Sequence, residues 1–240
     1  MKRRPQGIAL LLVIWLLAMV SLMLGGLLTV VGQELRLSLW QREHTRAIWA
    51  AEGGMALAVR GLREPSPARR WIADGRLNAL DLDGTRLQIR VRSERGKLDL
   101  NTASGSDLAR VVVQLGATRE QAQALAATLE QRRTGIDKPI RALEELCSWP
   151  GMSAALFAEL APELTLWSGL ARPEPAFASP ALRQALGLAY ARAEGSDPGP
   201  ILSIQSTAIA QGGISAAIDS TVLLSIEQNS RPFRVLRYSE

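Results

Sequence analysis

The chain has 240 residues, 47% of them hydrophobic, with a formal charge of +5, one cysteine and one histidine. That length holds one globular domain plus a short accessory segment, the lone Cys147 excludes an internal disulfide, and no Ser/His/Asp arrangement exists unless His44 serves. Three of the five excess positive charges are Lys2, Arg3 and Arg4, so the remaining chain is near +2 and its basic balance says little about nucleic acid. No cysteine–histidine metal spacing and no glycine-rich phosphate loop occurs.

The chain opens with a basic leader, residues 1–7, and then carries no charged side chain from Ile8 to Gln33. About 20 predominantly apolar helical residues cross a bilayer core, so 8–33 is predicted to span a membrane. The cations before it place that end in the cytoplasm and the rest of the chain on the other side. A secretory signal has a shorter apolar core followed by a small-residue cleavage site. Here the natural breakpoint is Gly7, before the run, and Pro5 and Gly7 keep the leader out of the helix.

A basic leader, Gly7 and the apolar run from Ile8 to Ile14 resemble the type III signal of type IV pilins and pseudopilins. The resemblance implies that a prepilin peptidase cuts between Gly7 and Ile8 and methylates the new N-terminus. The alternative is a signal anchor left uncut. Most members of that family carry a glutamate five residues into the mature chain, where this chain has Leu12. A carboxylate in hydrocarbon without a partner is costly, and a subunit with no neighbour ahead of it gains nothing from one. Loss of the glutamate resembles minor pseudopilin K of type II secretion systems, which sits at the filament tip. Leu12 is therefore a candidate tip determinant; the alternative is an ordinary residue of a signal anchor.

The helix is predicted to continue beyond the span until Pro65 and Pro67 end it. Ile48, Ala51, Met55, Val59 and Leu62 make one apolar stripe at helical spacing. Gly53 and Gly54 weaken it by about 1 kcal/mol each relative to alanine. His44 lies on this helix with no nucleophile motif beside it, so no catalytic residue is expected.

Residues 86–92 alternate strictly, which predicts a strand burying Leu87, Ile89 and Val91 and exposing Arg86, Arg90 and Arg92. Asp81, Leu82, Asp83 and Gly84 before it read as a hairpin turn. Two aspartates before a glycine also suggest calcium, but the EF-hand ligand series is absent.

Residues 99 to about 195 read as helical, opening on Leu100, Asn101, Thr102 and Ala103. Thr118 with Gln121 forms a capping box before a helix over 122–133. Beyond the break at Pro139, 142–147 and 153–160 flank a turn at Pro150, Gly151 and Met152. Cys147, among Leu143, Leu146 and Trp149, is predicted to be a buried small hydrophobe. Residues 173–180 read as a loop and 182–190 as a short helix.

Strands are predicted over 203–210 and 217–226, turned by Gly212 and Gly213. Gln228, Asn229 and Ser230 turn into a last strand over 232–238. Strands flank the helical block, so the fold class is α+β. A pilin-like long N-terminal helix, its first half membrane-spanning, packs on a small antiparallel sheet with an inserted α-helical subdomain. The division is 1–7 leader, 8–33 membrane half of the helix, 34–64 its periplasmic half, 65–98 the first strands of the head, 99–195 the helical insertion and 196–240 the closing strands.

This order resembles minor pseudopilin K along essentially the whole chain. Lys97 through Ala103 is similar to the start of that family's helical insertion. Glu144, Glu145 and Leu146 with Trp149 to Met152 are similar to its second turn, and Arg231 to Leu236 to its last strand. The part around 173–187 is short for the family, so the subdomain reads as reduced. The resemblance implies a non-catalytic subunit in the bacterial inner membrane with its head in the periplasm. It would cap and initiate the pseudopilus that drives export of folded proteins across the outer membrane. The partners implied are I- and J-like minor pseudopilins, the major pseudopilin, prepilin peptidase and the inner membrane; a related pilus machine stays open. No cofactor is expected; calcium occurs in some members, and no motif here assigns its ligands.

Leu100 to Ala103 followed by a helix–turn–helix also resembles helix-hairpin-helix DNA-binding modules, including membrane-anchored DNA receptors of competence or pilus systems. Those modules hold phosphate on a Gly-x-Gly hairpin. Here the hairpins at Gly116 and Gly151 both lack the second glycine. From Asp99 to Trp167 six basic residues face nine acidic ones, a net −3. DNA affinity rests on phosphate neutralisation, so no nucleic-acid partner is expected.

Overall fold

The computed structural model describes residues 6–134, 139–210, 212–225 and 232–239, without the side chains of 6–9, 26–32, 35 and 134. Residues 1–5 of the leader, the turn expected at Gln228, Asn229 and Ser230, and Arg231 lie outside the described residues. In chain order the elements are α1 (Gln6–Leu62), β1 (Asp74–Leu82), β2 (Thr85–Ser93), β3 (Leu98–Asp99), α2 (Gly105–Gln114), α3 (Arg119–Thr134), α4 (Ala154–Leu160), β4 (Leu164–Thr165), α5 (Pro180–Leu186), β5 (Ile201–Ile209), β6 (Ser215–Leu224) and β7 (Phe233–Ser239).

Helix α1 is 57 residues long and stops three residues before Pro65, whose missing N–H cannot continue it. Among the described residues no helix is long and apolar enough to cross a membrane. The expected long helix is present; the stretch expected to span a membrane includes residues 8, 9 and 26–32, whose side chains fall outside the described residues.

The sheet runs β1-β2-β5-β6-β7, antiparallel at every pair. Leu82 pairs with Thr85, leaving Asp83 and Gly84 as a two-residue turn. Both have positive φ, 50° and 75°. This is the type I′ geometry that Asp-Gly favours, because its twist matches that of the strands. Asp81 Oδ1 accepts from the Gly84 N–H at 3.1 Å and Arg46 on α1 donates to the Asp83 carbonyl at 2.7 Å. The aspartates therefore close a turn.

Alternation in β2 buries Leu87, Ile89 and Val91 completely. Leu202, Ile204, Ser206 and Ala208 of β5 and Ile218 and Val222 of β6 share their face, and α1 covers them. The helix face that does so is Ala47, Ala51, Gly54, Ala58 and Val59. The stripe read from the sequence is rotated relative to this one: Ala51 and Val59 are buried, while Ile48, Met55 and Leu62 are only half-buried. Small side chains let the helix axis approach the sheet, and larger ones wedge along its flanks.

Between β2 and β5 the chain builds a second core. Leu98, Leu100, Leu108, Val112, Leu125, Leu129, Leu146, Leu160 and Leu182 are buried together, each contributing about 1.5–3 kcal/mol relative to exposure. α2 packs on α3 and α5, and β3 pairs in parallel with β4. Besides its helices, turns and the loop expected at 173–180, the region read as helical holds β4, which pairs with β3 at its entry, and an irregular run after Gly187. The capping box forms as expected: Gln121 N–H donates to Thr118 Oγ1 at 3.2 Å and Thr118 N–H to Gln121 Oε1 at 3.0 Å. The last helix lies earlier than 182–190. Ser179 caps it, Pro180 takes its first position and Gly187, at φ 62°, ends it.

Cys147 is exposed, against expectation. Residues Leu143–Ser148 form a 3-10 helix. At three residues per turn, side chains at i and i+3 eclipse. Leu143, Leu146 and Trp149 therefore share the buried face, and Cys147 falls off it.

Candidate functional site

Gly7 and Ile8 lie in the first turn of α1, so the helix takes in Gln6 and Gly7, against the expectation that the leader stays outside it; the side chains of 6–9 fall outside the described residues. Leu12 is 66% exposed, and the large apolar side chains around it from Leu10 to Leu24 are likewise uncovered by this chain. A contiguous apolar surface of this kind is one that something else buries. His44 further along stacks on Trp40, ring centroids 5.0 Å apart. Leu12 is thus far in sequence from the Leu100–Ala103 motif, and the fold does not bring the two together.

The motif itself is an anchor inside the helical subdomain. Leu100 and Ala103 are fully buried in its core. Asn101 makes a reciprocal pair with Ile140: its Nδ2 donates to the Ile140 carbonyl at 3.1 Å and its Oδ1 accepts from the Ile140 N–H at 2.9 Å. Thr102 Oγ1 donates to the Leu170 carbonyl at 2.6 Å. Asp99, just before it and 1% exposed, accepts from Asn101 N–H at 2.9 Å and from Gly169 N–H at 2.7 Å. Arg133 from α3 donates to the Ala103 carbonyl at 2.8 Å. Four short residues thereby tie together the entry strand, α3, the segment after Pro139 and the segment after β4. Every motif polar group is spent internally, which is a structural use of the sequence.

The Gly151 turn packs on the start of α3, while the turn at Gly116 is exposed. Gly116 and Gly151 both have positive φ, 92° and 86°, and Gln121 Nε2 donates to the Gly151 carbonyl at 3.1 Å. Glu145 supplies half of a second capping box: its Oε1 accepts from the N–H groups of Arg141 at 2.8 Å and Ala142 at 3.2 Å. Its other oxygen pairs with Arg132 at 3.0 Å. The Arg141 N–H, then the Ala142 N–H and Arg132, outweigh burial and hold the Glu145 carboxyl below its ordinary range.

Ion pairs that the sequence did not foretell join the subdomain to the sheet, and they leave Arg92, expected to be exposed, half-buried. Arg92 of β2 pairs with Glu163 at 3.2 Å, and Ser179 donates to the same carboxylate at 2.6 Å. Arg237 of β7 pairs with Glu144 at 2.7 Å. Arg95 reaches Glu174 at 3.5 Å and Asp197 at 3.2 Å. At the crossing point Lys97 Nζ donates to the buried Glu94 at 2.6 Å and to Ser203 at 2.6 Å. The i,i+3 spacing of Glu94 and Lys97 is the one local signal that could have found this seam; the other ion pairs span 71, 79, 93 and 102 residues. On the outer edge Arg76 bridges Asp74 at 2.7 Å and Glu194 at 3.0 Å. Burial alone would raise the Asp74 carboxyl, but hydrogen bonds and charge from Arg76 hold it below the ordinary range.

Among the described residues no group of three or more histidine, cysteine, aspartate or glutamate side chains could hold a metal ion.

No protein-family model matches the sequence, and no curated protein matches it. Among solved structures it is similar to a chain of the GspK-GspI-GspJ complex of the type 2 secretion system of enterotoxigenic Escherichia coli. The identity is 14%, the match covers 83% of this chain and 97% of that chain, and the TM-score is 0.58. The chain therefore has the fold of a subunit of that complex, the class of protein that its leader and its helical insertion resemble.

Proposed function

We propose that this chain is a K-like minor pseudopilin of a type II secretion system, a non-catalytic subunit that caps and starts the periplasmic pseudopilus. The observation that carries the reading is the fold it shares with a chain of the GspK-GspI-GspJ complex over 97% of that chain. The partners proposed are I- and J-like minor pseudopilins, with the major pseudopilin below them. The uncharged stretch from Ile8 to Gln33 supports anchoring in the inner membrane with the head in the periplasm. The basic leader ending at Gly7 supports cleavage before Ile8 by a prepilin peptidase.

Leu12 supports the tip position. A buried amine or carboxylate without its partner is costly, so a subunit in the filament body needs the carboxylate that meets its neighbour's amine. A leading subunit has no such neighbour, and a neutral leucine there leaves no lone charge in hydrocarbon.

Intact-mass analysis of the chain from a peptidase-positive cell tests the reading. The expected mature N-terminus is a methylated Ile8, and Gly7→Leu is expected to leave the leader attached. A chain that still begins at Met1 in wild-type cells, or is cut after the apolar run, would overturn it.

A further inference from the structure

The face of the sheet turned away from α1 is a floor of polar side chains. Directly opposed residues of antiparallel strands share a face. The register therefore lays Arg90, Gln205, Asp219 and Ser239 in one row across β2, β5, β6 and β7. Arg92, Ser203, Thr221 and Arg237 form the next row. All eight line a single cleft of about 790 Å³ between this floor and the helical subdomain. That volume lies within the range of clefts that hold small molecules and short chain segments, about 300–1,000 Å³. The pairs Arg92–Glu163 and Arg237–Glu144 stand at its two sides as pillars. Arg183 of α5 and Tyr190 also line it, the guanidinium 5.2 Å from the ring centroid. Tyr190 is 76% exposed.

Most charges in the cleft are matched within the protein; three are not. Among the described residues Arg90 makes a 3.4 Å bond to the Gly75 carbonyl and no ion pair, and Arg183 faces the Tyr190 ring with no carboxylate. Asp219 has no cation within ion-pair distance among the described residues. Arg90 and Asp219 sit two strands apart in one row, a backbone separation of about 10 Å at the usual strand spacing. An extended polypeptide turns residues i and i+2 to the same face about 7 Å apart, close enough for long side chains to reach both groups. Its successive polar groups would meet the hydroxyl and amide groups of the floor, and Tyr190 offers a flat exposed ring above them.

We propose that this cleft binds an extended peptide segment of mixed charge, its carboxylate held by Arg90 and Arg183 and a cationic side chain two residues away, on the same face of the peptide, held by Asp219. The site lies in the head and does not depend on what the N-terminal helix anchors.

Anisotropy of a dye-labelled glycine–serine peptide carrying one glutamate and one lysine two residues apart tests it, with the full chain in detergent micelles. Saturable binding is expected, weakened at least tenfold by Arg90→Glu and by Asp219→Lys and unchanged by Arg119→Glu, an exposed position at the start of α3 outside the cleft. Should a sheet substitution disturb folding, read by circular dichroism, Arg183→Ala on the opposite wall is expected to weaken binding instead. Absence of saturation at about 1 mM peptide, equal weakening by Arg119→Glu, or binding of a thymidine oligonucleotide as tight as that of the peptide would each overturn the proposal.

Discussion

Gly53 and Gly54 are adjacent in α1 and act in opposite ways. A Cβ at Gly53 would meet only Leu82 Cδ2, at 3.8 Å, ordinary van der Waals contact. Gly53→Ala is therefore expected to stabilise the chain by up to about 1 kcal/mol, the helix-propensity difference. A Cβ at Gly54 would run into Ser206 Oγ and lie 3.3 Å from Ile89 Cδ1, so Gly54→Val is expected to destabilise by about 1–3 kcal/mol. Among the described residues Ser206 Oγ is buried without a hydrogen-bond partner, and Ser206→Ala removes that hydroxyl, with an expected gain of up to about 1 kcal/mol. Asn101 is the contrasting case, with both ends of its amide matched by Ile140 backbone groups. Asn101→Ala leaves an N–H and a carbonyl unmatched and is expected to destabilise by about 1–3 kcal/mol. Urea unfolding of the detergent-solubilised chain, read as the shift in midpoint at constant slope, checks all four.

The element that reports on pH is the 3-10 helix Leu143–Ser148, capped from within by Glu145. Backbone N–H donors, chiefly that of Arg141, hold this carboxyl below its ordinary value. A depressed folded-state pKa means the stabilisation is complete above the unfolded value, about 4.3. It is lost as pH falls through the folded value. Acidification from pH 5 to pH 3 is therefore expected to destabilise the helical subdomain. Glu145→Gln keeps a cap acceptor, as Gln121 does in the other box, loses the Arg132 ion pair, and is expected to flatten that dependence at a cost of under about 1 kcal/mol at neutral pH. Thermal melts of wild type and variant across that range decide it; parallel curves would show that Glu145 is not the titrating group.

At the scale of the molecule, two cores share one chain, one between α1 and the sheet and one inside the helical insertion. The insertion leaves the sheet at the end of β2 and returns at β5, adjacent strands, so it adds bulk without breaking the sheet's order. Under the tip reading, such bulk is tolerated at the end of a filament and obstructs stacking within it. Native mass spectrometry of the chain with I- and J-like partners is expected to give a small complex of fixed stoichiometry, and the chain alone is expected not to polymerise. Label spread evenly along the filament, or homopolymers, would sink the tip assignment and leave the fold untouched.

Patterns that depend on near neighbours were legible in the sequence. The alternation of 86–92, the Asp83-Gly84 turn, the Thr118–Gln121 capping box and the proline that stops α1 are each set by backbone geometry within a few residues, and each stands where expected. The order of elements, with strands on both sides of a helical block, pointed to an α+β fold for the same reason. Tertiary structure decided which side of α1 meets the sheet, because the closest approach selects alanine and glycine over the larger apolar residues that periodicity favours. It decided that Cys147 is exposed, because a 3-10 turn rather than an α-helix sets its direction. It alone paired Arg92 with Glu163 and Arg237 with Glu144 and placed Arg90, Asp219 and Arg183 around one cleft. Charges so far apart in sequence leave no periodic trace, and only the packing of the insertion against the sheet brings them within reach.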